Sequence, residues 1–272
     1  MIALFGCEVR KLVGSGAFLL VALAGAALML ATVLSPSAPP GGPLFMVAGD
    51  DLLAIGSAIG FIGNQIDPGR VTESAARTAF VYTPLWVAIV IVFAGTAFSR
   101  DFASGAAAVS RARGMSAAKI VVPKLAAAVM VASFVYVLFT SVCFMLKAID
   151  YGVAPTAAEA LGFLALSAIN ALLCGSLACQ VALLFLALRS SFVSVLVPLL
   201  YGAVVLIGYP SSFAASGGHV PNLLFDLSPV FYLFHTCSLG SWDLIAHALT
   251  YSVLSMVALT SASVLLADRR GV

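Results

Sequence analysis

The sequence predicts an all-α integral membrane protein with six transmembrane helices, a short amphipathic (elbow) helix ahead of the first, and both termini in the cytoplasm. Of its 272 residues, 62% are hydrophobic and only 9% are charged, and the mean hydropathy is +1.13. A soluble domain is about half apolar and about one quarter charged. Six segments are apolar and long enough to cross a bilayer, and the basic residues collect on one side of them. This composition excludes a soluble enzyme, a disordered chain and a nucleic-acid-binding protein, which needs cations to neutralise phosphates.

The six segments are defined by length and by the near absence of charge. A membrane-spanning helix needs about 20 mainly apolar residues. The segments that meet this requirement are 17–34, 79–98, 122–146, 160–187, 191–209 and 245–267.

The first of these segments also has features of a secretory signal, namely a basic flank and small residues after it. Its apolar run exceeds the usual signal core of about 7–15 residues, and Pro39 and Pro40 make a poor cleavage context. We therefore expect it to remain as a span.

The orientation follows from the distribution of charge. With the N-terminus in the cytoplasm, the inner segments are 1–16, 99–121, 188–190 and 268–272. Ten of the 13 basic residues then lie on the inner side: Arg10, Lys11, Arg100, Arg111, Arg113, Lys119, Lys124, Arg189, Arg269 and Arg270. Lys124 sits just inside the third span, and we expect its side chain to snorkel to the inner face. The positive-inside rule favours this arrangement, in which the whole chain is one transmembrane domain (1–272).

Residues 1–16 have the pattern of a helix that lies on the membrane surface. One side at helical spacing is apolar, and the charged Glu8, Arg10 and Lys11 fall elsewhere. The apolar side consists of Ile2, Phe5, Val9, Leu12 and Val13. This is typical of an interfacial amphipathic helix. The alternative is a frayed basic leader.

Two outer loops are predicted, at 35–78 and 210–244. The first opens with a Pro/Gly run that cannot be helical. Its apolar part, 52–63, is too short to span the bilayer, and 64–77 is polar and expected in water. In the second loop, 230–234 is aromatic and apolar. It is either a short re-entrant piece or an interfacial belt without function.

Within the spans, the informative residues are polar or helix-breaking. The three residues 188–190 force an antiparallel hairpin between the fourth and fifth spans. Asn170 shares a face with small residues, which indicates helix–helix packing, although a place on a transport pathway is the alternative. Gln180 points elsewhere and fits either role. Pro84 and Pro198 are each expected to kink a helix.

No catalytic motif is present. The five cysteines have no metal or redox spacing, and the sequence contains neither HExxH nor a GxxxxGK[ST] phosphate loop. The uncharged spans argue against a proton relay or a voltage sensor. An intramembrane enzyme would need Asn170, Gln180 and His247 to converge, and these residues make no recognised set. We predict no catalytic residue, no metal and no cofactor on this chain.

The inner loop 99–121 carries the functional signal. The loop is rich in alanine, and basic and apolar residues alternate along it. A short amphipathic helix in it would present apolar residues to a partner groove and basic residues to lipid headgroups or to partner carboxylates. The alternative is a loop whose positive charge only determines topology.

This loop resembles the permease subunits of ABC-2 type exporters. Those permeases commonly carry an acidic residue after the second helix, then a Gly, a small-apolar stretch, a Pro-Val-Ser-Arg-x-Lys-Ile block and a Lys that opens the third helix. Asp101 and Gly105 stand at the first two positions here, and 114–120 and Lys124 at the last two. Two positions depart from the pattern, because Gly114 replaces the Pro and Ala117 replaces the Arg.

The resemblance implies a fold and a mechanism. Members have six spans, an elbow helix, cytoplasmic ends and a broken stretch between spans five and six, where Leu227-Ser228-Pro229 falls here. The loop would dock on a separate ATP-binding subunit that carries the ATP, the magnesium and the hydrolysis, so this chain would not be an enzyme. The implied contact residues are Asp101, Gly105, Arg111, Arg113, Gly114, Ser116 and Lys119.

Two permease chains, identical or different, would form the pathway in a bacterial plasma membrane, with Asn170 and Gln180 as candidate lining residues. The uncharged walls suit an amphipathic peptide, a drug or a lipid-like compound. The alternative function is a non-transporting immunity or scaffold protein, which would bind a toxin or a partner in the bilayer.

Overall fold

The computed structural model describes residues 2–35, Ile66, Gly69, 71–216, 221–237 and 242–271. These residues form helices joined by short turns, and they contain no strand. Six helical segments among them are long and apolar enough to cross a membrane: Gly16–Leu34, Val71–Phe102, Ala117–Asp150, Ala157–Leu188, Ser191–Ser212 and Ile245–Arg269. The prediction of an all-α, six-span membrane protein is confirmed to this extent. The predicted Pro/Gly run and the apolar stretch 52–63 lie almost wholly outside the described residues.

Eleven helices occur in the described part of the chain. In order they are α1 (Ile2–Val13), α2 (Gly16–Leu34), α3 (Val71–Phe80), α4 (Thr83–Ala103), α5 (Ala106–Ala112), α6 (Ala117–Asp150), α7 (Ala157–Leu188), α8 (Ser191–Ser216), α9 (Leu223–Asp226), α10 (Pro229–Thr236) and α11 (Trp242–Arg269).

Helix α7 is the centre of the bundle. It packs against α4, α6, α8, α10 and α11. Its start is defined by a capping box, in which the Thr156 side chain accepts from the backbone N–H of Glu159 and the Glu159 carboxylate accepts from the backbone N–H of Thr156. Small residues let its neighbours approach closely, because a Cβ added at Gly175 would lie 2.8 Å from Val129 Cγ1 on α6.

A tight turn joins α7 to α8. Arg189 caps α7 in the left-handed conformation with φ 52°, and its N–H donates to Phe185 O at 2.8 Å. The Ser190 hydroxyl then accepts from the N–H of Val193, which starts α8. The predicted antiparallel hairpin at 188–190 is confirmed.

Side-chain contacts bring both ends of the chain to one end of the bundle. Lys11 on α1 pairs with Asp101 near the end of α4. Arg111 on α5 contacts Asp268 on α11 at 3.0 Å. Arg270 donates to Leu186 O at 2.8 Å. We call this end, made of residues 2–15, 100–124, 186–191 and 266–271, the basic end.

Two buried lysines mark the length of the membrane-sized part of α6. Lys124 is 3% exposed and Lys147 is 1% exposed. They are 23 residues apart, which is about 34 Å along a helix and close to the thickness of a bilayer core. Lys147 donates to Ser35 O at 2.8 Å, at the end of α2, and to Asp150 at 3.0 Å. It therefore ties α2 to α6 at the end opposite the basic end.

Helix α3 lies where the sequence predicted a polar segment in water, and that prediction is wrong for residues 71–77. The segment is helical and packs against α6, and Arg77 is only 4% exposed. Glu73 lies one turn before Arg77, 3.5 Å away, so the two charges balance inside the packed helix. Beyond it, the Thr78 and Tyr151 hydroxyls lie 3.1 Å apart. Burial raises the pKa of the Tyr151 hydroxyl.

The prolines fall partly as expected. Pro84 lies in the first turn of α4, directly after the break at Val81 and Tyr82 that separates α3 from α4. Pro198 lies inside α8, as predicted. The expectation that a loop begins at Pro210 is wrong, because α8 continues through it to Ser216.

The aromatic stretch of the second outer loop forms α10, which is buried in the bundle. Seven of its eight residues are buried, and it packs against α7, α8 and α11. Thr236 at its end bonds Asn170, which lies 13 residues, or about 20 Å, along α7 from Ala157. Of the two interpretations of this stretch, a belt at headgroup level does not fit this depth, and a short helix that enters the bundle does.

Candidate functional site

The connection between α4 and α6, residues 104–116, is built around two glycines. Gly105 has φ 72° and precedes α5, and Gly114 has φ 82° and follows it. Both angles lie in the left-handed region that glycine adopts without strain. The short helix predicted in this loop is present as α5.

The glycine geometry explains one departure from the ABC-2 pattern. Proline fixes φ near −65°, so it cannot occupy position 114 in this conformation. The second departure, Ala117, is 2% exposed in the first turn of α6. An arginine there would have to bury its charge or leave the packed position. Both residues therefore fit the local structure of this chain.

Asp101 is the centre of a buried ion network. It is 7% exposed, and both Lys11 and Lys124 donate to its carboxylate. Lys124 also lies 3.4 Å from the carboxylate of Glu8. The network thus joins α1, α4 and α6 through four side chains of balanced charge. Removing one partner from such a buried group typically costs about 3–5 kcal/mol, because an uncompensated charge remains.

Lys124 does not snorkel. The expectation that it reaches water at the inner face is wrong, since its side chain turns inward to Asp101 and Glu8. A charge with two anionic partners within reach gains more from pairing than from extending along the helix to solvent. The sequence indicated this network by one feature, a lysine inside an apolar segment. A lysine that is buried needs a partner of opposite charge.

Arg111 makes a second, more exposed link. Its guanidinium lies 3.0 Å from Asp268 of α11 and 3.4 Å from Met115 O. The side chain of Asp268 is 66% exposed, so this pair contributes little to stability. Its value is positional, because it holds α5 against the end of α11.

The remaining residues that were predicted to contact an ATP-binding subunit differ in how exposed they are to solvent. Arg113, Gly114, Ser116 and Lys119 are exposed at the basic end, and Ser116 precedes α6 without a side-chain capping bond. Asp101, by contrast, faces the interior of the chain. The structure therefore places Arg113, Ser116 and Lys119 on an accessible surface and Asp101 in the support beneath it.

A second polar cluster lies midway along α6. Thr236 donates to the Asn170 carbonyl oxygen, and Asn170 Nδ2 lies 3.3 Å from Cys237 Sγ. The hydroxyls of Thr83 and Tyr136 lie 2.9 Å apart, and Tyr136 is 12 residues after Lys124 and 11 before Lys147.

Asn170 is 0% exposed and is bonded to Thr236 and Cys237 within this chain, which favours the packing interpretation over a place on a transport pathway. Gln180 is half-buried, and no described residue is hydrogen-bonded to its side chain. Gln180 lies ten residues from Asn170 on α7, or about 15 Å, and His247 is exposed. The three residues considered for an intramembrane enzyme therefore do not form one site.

Within the described ranges, no group of three His, Cys, Asp or Glu residues is arranged to hold a metal.

No protein-family model matches the chain, and no curated protein matches it significantly.

Proposed function

We propose that this chain is the transmembrane permease subunit of an ATP-driven exporter of the ABC-2 type. It works as a dimer in a bacterial plasma membrane, and its α4–α6 connection contacts a separate ATP-binding subunit. The basic end then faces the cytoplasm, as the positive-inside rule requires. The proposal rests on the resemblance at 101–124 and on the way this connection is attached to the bundle.

The attachment of α5 is the observation that carries the proposal. Tight glycine turns join α5 to α4 on one side and to α6 on the other. Arg111 holds it to α11 through Asp268, and the Asp101 network lies directly beneath it. A movement of α5 would therefore reach α4 and α6, to which it is joined, and α11, which Arg111 contacts. A loop whose positive charge only determined topology would not need such fixation.

Helix α1 would move together with this element. Lys11 and Glu8 connect α1 to Asp101 and Lys124. Leu12 is buried, and Phe5 and Val9 pack on the core, while Ile2 is 89% exposed. The apolar side of α1 thus packs on the bundle, and its exposed first residue, Ile2, is available for the membrane surface on which an elbow helix would lie.

The energetics are those of any ligand-driven switch. ATP bound to the partner subunits must favour one arrangement of α4, α5 and α6 over another to shift their equilibrium. The described spans supply no ionisable chain along the bundle that would use an ion gradient instead. The partner would meet Arg113 and Lys119 with carboxylates.

The test uses the complex isolated through a tag on this chain and reconstituted in vesicles. The proposal expects a co-purifying subunit with a phosphate-binding loop and ATP-dependent movement of cargo. In the double variant Arg113→Glu, Lys119→Glu, transport should fall at least about tenfold, because two exposed contacts change sign. The control Arg269→Glu reverses one charge at the exposed end of α11 and should transport normally.

The opposite results would decide against the proposal. If no ATP-binding subunit accompanies the chain and ATP hydrolysis never depends on it, the chain is not a permease of this type. If the chain protects cells from a toxin but moves nothing in vesicles, the immunity or scaffold function replaces it.

A further inference from the structure

An open groove lies between α3, α6, α7 and α11, at the end opposite the basic end. Its volume is about 240 Å³. The apolar wall is formed by Phe144, Phe163, Leu166 and Ile169. Phe163 is the middle ring of a stack, 4.2 Å from Phe144 and 4.8 Å from Phe80. The stack therefore joins α3, α6 and α7 at this wall.

The groove is amphipathic along its length. Glu159 and Glu73 line one end, and Ile169 lines the other, ten residues or about 15 Å along α7 from Glu159. Phe144, which stacks on Phe163, lies three residues before Lys147, the residue that marks the boundary of the membrane-sized part of α6. The carboxylates thus lie at headgroup depth, and the apolar wall extends into the hydrocarbon.

The charge at the polar end is negative. Glu73 is balanced by Arg77, 3.5 Å away. Glu159 accepts from the N–H and the hydroxyl of Thr156, both at 2.7 Å, through one carboxylate oxygen. It is not ion-paired with any residue in the described ranges. Of the two carboxylates that line the groove, Glu159 is therefore the one that no described residue forms an ion pair with.

We propose that this groove binds amphipathic cations from the outer leaflet of the membrane. The positive group lies by Glu159 and Glu73, and the apolar body extends along Phe163 and Leu166 toward Ile169. A positively charged ligand head is favoured here because its charge is opposite to that of the exposed Glu159 carboxylate. The site lies apart from the α4–α6 connection, so it does not rest on coupling to an ATP-binding subunit.

The test measures binding by the purified chain in nanodiscs of zwitterionic lipid without ATP, by isothermal titration calorimetry with empty nanodiscs subtracted. The probes share one chain and differ in the head: n-decyltrimethylammonium, n-decyl sulfate and n-decanol. The cation should bind saturably and at least about tenfold more tightly than the other two. Equal binding of the sulfate or the alcohol would overturn the proposal.

Two variants locate the binding. Gly162 lines the groove, and a Cβ there would meet nothing within 4 Å, so Gly162→Leu introduces a side chain into the slot from an open position. It should weaken binding of the cation at least about tenfold, whereas Gly16→Leu, another open glycine remote from the groove, should not. Glu159→Gln keeps the groove shape and removes the charge, and should weaken only the cation. Unchanged binding in both groove variants would contradict the proposal.

Discussion

Asp101 and Lys124 form a buried ion pair that joins α4 to α6 directly beneath α5. The pair lies at the boundary where the sequence changes from basic loop to apolar span. It makes the connection between the two helices part of the packed bundle, and it explains why a lysine stands at the start of an otherwise uncharged segment.

The first prediction concerns this pair. Asp101→Asn leaves Lys11 and Lys124 without their shared anion, and Lys124 is 3% exposed. We expect a loss of about 3–5 kcal/mol in the free energy of unfolding, because a buried charge is left with weaker compensation. Thermal unfolding in detergent measures it. The control Asp268→Asn removes the partner of Arg111 at a 66% exposed side chain and should cost about 0.5 kcal/mol or less. Equal losses in the two variants would contradict the buried network.

The second prediction concerns the contact between α4 and α8. A Cβ at Gly95 would lie 2.2 Å from Val195 Cγ2. Gly95→Ala should therefore destabilise the protein by about 1–3 kcal/mol through overpacking. Adding Val195→Ala should restore most of the loss, since it removes the clash. Gly162→Ala, in open space on α7, should be neutral or slightly stabilising, because alanine favours the helix. If Gly95→Ala behaves like Gly162→Ala, α4 and α8 are not in contact as described.

The third prediction concerns the hold on α10. Asn170 bonds both Thr236 and Cys237, and Cys237 is 2% exposed. Asn170→Ala should free the end of α10 and raise the rate at which maleimide labels Cys237 by about tenfold or more, since local opening exposes the thiol. Mass spectrometry locates the label. Cys143, buried at 0% on α6, is the internal reference and should stay unlabelled. An unchanged labelling rate at Cys237 would show that other contacts hold α10.

The fourth prediction concerns orientation. Cys7 on α1 is exposed, whereas the other four cysteines are buried. A membrane-impermeant maleimide should label Cys7 in inverted vesicles but not in intact cells. For the opposite end, Ala154→Cys in a Cys7→Ser background places an exposed thiol in the turn between α6 and α7, and it should label only in intact cells. Labelling of Cys7 from outside would reverse the topology and remove the cytoplasmic position of the α4–α6 connection.

The candidate site was predictable in position but not in detail. The alternation of small and basic residues located α5, and the glycines at 105 and 114 have the conformations that only glycine adopts easily. The partners of Asp101 were not predictable, because Lys11 is 90 residues away in the chain. Such a pairing depends on which helices the bundle places side by side, and a single sequence contains no signal for that.

The amino-acid sequence alone determined the number of spans and the separation of positive charge along the chain. Both follow from local properties, since the cost of placing charge or unbonded backbone in hydrocarbon acts on each segment separately. Only the tertiary structure decided that α3 and α10 are buried, that Lys124 turns inward, and that a groove opens beside Glu159. These depend on which side chains face each other across helices, because close packing and charge pairing are properties of the assembled bundle.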